Sequence, residues 1–165
     1  MSLLQVNGAK DVALELNSLS KTFNMAGWRV GMVLGNAKAI DAILKVKSNM
    51  DSGMFFGIQK GAIAALNSDK SWFDSMNEIY KKRRVLTEQL AEKLGCKVHK
   101  EGVGLFVWAK LPVGSVSAEK FIDQILQEKS IFIAPGTIFG SNGEGYIRFA
   151  LCVKEEKVQE AINRF

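Results

Sequence analysis

The order in which hydrophobic periodicities follow one another is what most restricts this fold. Val12, Leu14 and Leu16 alternate with Ala13 and Glu15, the two-residue period of a strand, and the run closes on the polar Asn17-Ser18-Leu19-Ser20. Val30 to Gly35 reads as a second, buried strand, and Asn36 is placed to cap a helix beginning at Ala37. Residues 37–49 and 55–66 then carry apolar positions at helical spacing, separated by the breaker Asp51-Ser52-Gly53. From Ser71 to Leu94, the positions Phe73, Met76, Tyr80, Leu86, Leu90 and Leu94 define one buried stripe on a long helix that Gly95 ends. Strand-like runs over 104–111, 131–134 and 146–152 surround a helix over 117–128, and a last helix covers 154–164.

Two strands, three successive helices and then mixed strands and helices predict an α/β fold. The second half is expected to be a small layered unit, with helices against a partly antiparallel sheet, joined by the long helix to the opening strand pair. That pair has too little helix around it to cover a sheet, so it reads as the last strands of a larger body. The boundary falls near residue 70, giving a first region over 1–70 and a second over 71–165.

Composition removes several classes of function. With 165 residues and 47% hydrophobic content the chain can bury a core, but its apolar stretches are short and broken by glycine or charge. None approaches the roughly 18 residues of a membrane span. Residues 1–11 show no secretion signal. Cys96 and Cys152 lie far apart without metal or redox spacing, which predicts two reduced thiols, a cytoplasmic protein and no metal site. The net charge of +5 is spread along the chain; its one dense basic run, Lys81-Lys82-Arg83-Arg84, reads as a solvated helix face rather than a nucleic-acid patch. Neither nucleic acid nor membrane is an expected partner. His99, the only histidine, is expected at the surface, Trp28 and Trp108 in core or wall positions, and Phe55 and Phe56 in the core. The Gly-rich stretch 140–145 has no phosphate-binding helix after it and reads as a flexible turn.

The chemistry concentrates in Ser18-Leu19-Ser20-Lys21-Thr22-Phe23-Asn24-Met25-Ala26-Gly27-Trp28-Arg29-Val30-Gly31. A lysine at a strand end forms an imine with an aldehyde cofactor if its surroundings favour the neutral amine. Ser18 and Arg29 are suited to hold a phosphate, the serine by its hydroxyl and the arginine by paired N–H donors. The plain alternative is a surface lysine beside a Ser-rich turn, with the arginine in a salt bridge. Spacing alone leaves both readings open.

This run closely resembles the lysine motif of the class I/II, fold-type I aminotransferases that depend on pyridoxal 5'-phosphate (PLP). Two further segments are similar to the same family: residues 102–112, which resemble its small-domain strand, and residues 133–140, which resemble the loop that follows. Gly145-Tyr146-Ile147-Arg148-Phe149-Ala150 resembles the strand whose arginine binds the substrate α-carboxylate. The resemblance implies the small C-terminal domain, with its long connecting helix, over 71–165 and the terminal part of the large PLP-binding domain over 1–70. It implies Lys21 as the Schiff-base lysine, Ser18, Ser20 and Arg29 on the cofactor phosphate, and Arg148 on the substrate; Gly27 and Gly31 then serve close packing or unusual backbone angles. By itself Arg148 also reads as half of a structural ion pair.

The implied reaction is transamination between an amino acid and a 2-oxo acid, in a parent expected to be a homodimer. The wording around Lys21 is similar to that of aspartate, alanine and diaminopimelate aminotransferases. Only twenty residues precede Lys21, whereas the family takes several cofactor contacts from further upstream: the aspartate on the pyridine nitrogen, the Gly-rich phosphate loop and the ring-stacking aromatic. The chain therefore reads as a front-truncated, inactive portion whose C-terminal end is complete, the alternative being a non-enzymatic folded module with remnant PLP-site residues.

Overall fold

The computed structural model describes residues 2–100, 102–115 and 117–165. The chain divides into two compact units, Met1–Asp69 and Lys70–Phe165. In the first, α1 (Ala9–Val12) leads into β1 (Leu14–Ser18), then α2 (Leu19–Thr22), β2 (Gly31–Gly35), α3 (Ala37–Met50) and α4 (Phe56–Leu66). β1 and β2 pair antiparallel, from Leu14 opposite Gly35 to Ser18 opposite Gly31. The first strand starts two residues later than the alternation suggests, because the Ala13 N–H closes a helical turn on the Ala9 carbonyl at 2.8 Å and keeps Val12 in that turn. Asn36 caps α3 as expected: its Oδ1 accepts from the Ala39 N–H at 2.9 Å.

The core of this unit is small. Leu19, Met25 and Val30 are buried, with Phe23, Met32, Ile58, Ala62 and Ala65 packed around them. Neither α3 nor α4 buries a whole residue. Phe55 and Phe56, expected in the core, are 75% and 65% exposed, and β2 is not the buried strand expected. One antiparallel pair with two long helices offers too little surface to enclose them.

The second unit contains α5 (Lys70–Lys93), β3 (Lys97–Val98), β4 (Phe106–Lys110), α6 (Ala118–Lys129), β5 (Ala134–Pro135), β6 (Tyr146–Ala150) and α7 (Glu155–Asn163). Its four strands lie in the order β3-β4-β6-β5, and every pairing is antiparallel, where only a part was expected. The strand expected over 131–134 shrinks to two residues, although Ile133 is buried. Strand alternation sorts the side chains. Val107 and Ala109 of β4 and Ile147 and Phe149 of β6 join Leu90, Ala91, Ile122, Ile125, Val158 and Ile162 in one core. Phe106, Trp108, Tyr146 and Arg148, at the intervening positions, belong to the opposite face.

Helix α5 follows its stripe only in part. Leu90 is buried and Tyr80, Leu86 and Leu94 pack against the core, but Phe73 and Met76 are half-buried, since only the C-terminal half of the helix contributes buried residues. Gly95 ends it with φ +73: the Gly95 N–H reaches the Glu92 carbonyl at 2.9 Å and the Cys96 N–H reaches Ala91 at 2.9 Å, the paired bonds of a Schellman turn. The basic run is not wholly a solvated face. Arg83 Nε donates to Glu155 at 3.1 Å and Nη1 to the Leu151 carbonyl at 3.2 Å, while Arg84 Nη2 donates to the Gly104 carbonyl at 2.8 Å. The Gly-rich stretch, expected to be a turn, holds the 3-10 turn Ser141–Gly143. His99 is exposed.

Both cysteines are free thiols; Cys96 is buried, which pushes its thiol up to about 11, and Cys152 is exposed. Among the described residues no helix is long and apolar enough to cross a membrane.

Ile147 is fully buried at the centre of the sheet. Ile147→Ala is expected to lower the opening free energy of the β4 and β6 amides, measured by native-state hydrogen exchange, by about 2–5 kcal/mol. Val103→Ala, at a position 91% exposed, is expected to change it by less than about 0.5 kcal/mol. Equal effects of the two would contradict this placement of the core.

Candidate active site

Four of the residues singled out by sequence meet in the first unit. β1 ends at Ser18, whose Oγ accepts from the Ser20 N–H at 3.2 Å and starts the single turn α2. Leu19, 1% exposed, pins this turn to the small core, and its N–H donates to the Val30 carbonyl at 3.2 Å. The end of β1 is thereby tied to the residue before β2, and the intervening loop must fold back on itself. Lys21 projects from that turn; it is exposed, and among the described residues its Nζ has no hydrogen bond or ion pair.

Arg29 takes the left-handed conformation, φ +51, and Asn24 does the same at φ +53. Such angles are uncommon away from glycine and persist only where neighbouring contacts impose them. For Arg29 those contacts are visible. Its Nη1 donates to the Ala26 carbonyl at 3.0 Å and to Ser20 Oγ at 3.4 Å, which turns the guanidinium back onto the Lys21 turn. Trp28 braces the loop from the other side. Its ring lies so close to α4 at Gly61 that a β-carbon there would sit 2.4 Å from Cζ3. Trp28 therefore packs as a wall with one side open, 46% exposed. Gly31 fulfils its expected packing role, since a β-carbon would fall 2.8 Å from the Asn17 carbonyl oxygen; Gly27 does not, having open space around it and no unusual φ.

As a donor set, two hydroxyls and a guanidinium beside a primary amine suit a phosphorylated aldehyde. The hydroxyls and the fork of N–H groups match phosphate oxygens, and the amine matches the carbonyl. Arg29 finds no carboxylate among the described residues, which removes the plain salt-bridge reading.

Arg148 belongs to the second unit. It stands on β6 between Trp108 of β4 and Ala134 of β5. The side chain is half-buried, and among the described residues it has neither an ion-pair partner nor a hydrogen bond, so the structural ion pair considered for it is not formed. Its companions are aromatic instead. The guanidinium carbon lies 4.1 Å from the centre of the Phe106 ring and 3.8 Å from that of Phe139, and Tyr146 stacks on Trp108 at 5.6 Å. Sequence reading missed Phe106 and Phe139 as neighbours of Arg148. The two-residue spacings Phe106–Trp108 and Tyr146–Arg148 put each pair on one face, but no signal within a single strand joins Phe106 or Phe139 to Arg148.

The chain is similar to known proteins over nearly its whole length. The family model for aminotransferase class I and II matches residues 2–165. LL-diaminopimelate aminotransferase from Nitratidesulfovibrio vulgaris is 41% identical over 164 residues, covering 99% of this chain and 42% of the relative. The enzyme of that name from Aquifex aeolicus is 42% identical over 163 residues with the same coverage. Among solved structures, apo BacF from Bacillus subtilis superposes with a TM-score of 0.88 at 39% identity, covering 99% of this chain and 44% of that one. A probable N-succinyldiaminopimelate aminotransferase from Thermus thermophilus gives 0.88 at 29% identity, again over 99% and 44%. The chain thus spans well under half the length of the relatives it matches. By this match over nearly all its residues, the chain belongs to the class I and II aminotransferases, of fold type I.

Proposed function

We propose that this chain carries the lysine and the substrate-carboxylate arginine of a PLP-dependent aminotransferase, and that its full-length parent transfers amino groups between an amino acid and a 2-oxo acid. The family in general works with PLP. The observation that carries the reading is the strained turn at Arg29, aimed at Ser20 beside a lysine with no partner of its own. In this assignment, residues 1–70 are the end of the large cofactor-binding domain and 71–165 the small domain.

Each residue then has a definable task. Ser18, Ser20 and Arg29 hold the phosphate end of the cofactor, exchanging the contacts they make with each other for phosphate oxygens. PLP, when bound, supplies an electron sink for the bonds at the substrate α-carbon. Lys21 Nζ first holds the cofactor and then, as a general base and acid, moves a proton to and from that α-carbon. Arg148 fixes the α-carboxylate, setting which bond at the α-carbon is presented. The names of the curated relatives make LL-diaminopimelate the first amino donor to try.

The full-length parent is expected to transaminate members of a panel of amino acids that includes LL-diaminopimelate, with 2-oxoglutarate and PLP. Lys21→Ala is expected to cost it about 100- to 10,000-fold in turnover, the usual contribution of a positioned proton-transfer group. The 165-residue chain assayed alone is expected to turn over no faster than its Lys21→Ala control, because a cofactor held only at its phosphate end is poorly oriented. Full activity in a Lys21→Ala parent would remove the lysine from the mechanism. Turnover by the isolated chain would show that it assembles a complete site.

A further inference from the structure

We propose that Phe106 and Phe139 are positioning residues that cover Arg148 from two sides and leave only the N–H edge of its guanidinium for a ligand. The inference rests on the reading of Arg148 as the carboxylate binder and adds what makes it selective. Both ring centres lie about as close to the guanidinium carbon as stacked groups can, at 4.1 Å and 3.8 Å. Yet among the described residues the two rings make no aromatic contact with each other; Phe139 meets Trp108 instead, at 5.9 Å. Two rings that near one carbon on a single side would touch, so they flank it.

The elements explain how. Phe106 comes from β4, two residues from the Trp108 that pairs with Arg148, while Phe139 ends the 3-10 turn Gly136–Phe139 that follows β5 on the other side of β6. The electron-rich ring faces favour the cation. Phe106 is itself held through its backbone, because Arg84 Nη2 donates to the carbonyls of Gly104 at 2.8 Å and Phe106 at 3.3 Å.

A guanidinium covered on its faces keeps its N–H donors in one plane. It can meet a ligand only edge-on, in that plane. A planar carboxylate offers two oxygens in that arrangement; a tetrahedral phosphonate directs its third oxygen out of the plane, into the rings. The slot thus selects planar oxyanions at this end of the substrate.

The test is side-chain NMR of the full 165-residue chain, following the Arg148 Nε–H and Cδ protons, with acetate and methylphosphonate as probes. The Arg148 protons are expected upfield of random-coil positions through the ring currents. Phe106→Leu and Phe139→Leu should each move them back, while Phe106→Tyr and Phe139→Tyr, which keep a ring, should not. Acetate should shift the Nε–H at lower concentration than methylphosphonate, and loss of one ring should weaken acetate about two- to fivefold, the weight of one exposed cation–π contact. Backbone amide spectra of the variants separate loss of the slot from loss of fold. Random-coil Arg148 shifts in the wild type, or an equal response to both probes, would overturn the slot. Ring-shifted protons that neither probe moves would leave the clamp standing and sink the carboxylate assignment.

Discussion

The hydrogen bond from the Leu19 N–H to the Val30 carbonyl is the tie on which the lysine turn depends. It closes the far end of an antiparallel pair whose strands lie in register from Leu14 to Ser18, so everything between residues 19 and 30 must occupy a loop of fixed span. Leu19, Met25 and Val30, the buried residues of this unit's small cluster, are the apolar anchors of that loop. Within it the polar groups find one another: Ser20 is held by Ser18, Arg29 by Ser20 and Ala26. Lys21 is left over. An amine held on a pinned turn, with no competing partner among the described residues, is open to approach by a carbonyl group.

The two units solve the burial problem differently. In the second, four strands give a sheet wide enough to carry helices on a common core, and Val107, Ile147 and Leu151 are almost wholly removed from water. In the first, Leu16, Met50, Phe55 and Phe56 are all more than half exposed. The chain spans 42% of the length of the relative it matches from Nitratidesulfovibrio vulgaris.

Local signals in the sequence were legible because local physics decides them. The Asn36 cap and the turn at Gly95 each rest on a few consecutive residues. So did the lysine cluster, since Ser18, Ser20, Lys21 and Arg29 lie within one short loop. The strand edges were less readable: Val12 fits both a two-residue alternation and the end of a helical turn, and β3, at two residues, is too short for a period. Phe55 and Phe56 look like core in any hydrophobic pattern; their exposure depends on what the rest of the unit can cover. The surroundings of Arg148 were hidden for a third reason. Phe106 and Phe139 reach it through strand register and through a turn nine residues upstream of it, and periodicity along one strand does not report either.

In the assignment proposed above, Lys21 is the cofactor lysine and Arg29 holds the phosphate beside it. It is tested most directly by incubating the chain with PLP at limiting concentration, reducing with borohydride, and mapping the labelled peptide. Label is expected to concentrate on Lys21, to fall markedly in Arg29→Ala, and not to be reproduced by pyridoxal, which lacks the phosphate. Label spread evenly over the exposed lysines, or label at Lys21 indifferent to both Arg29 and the phosphate, would contradict it.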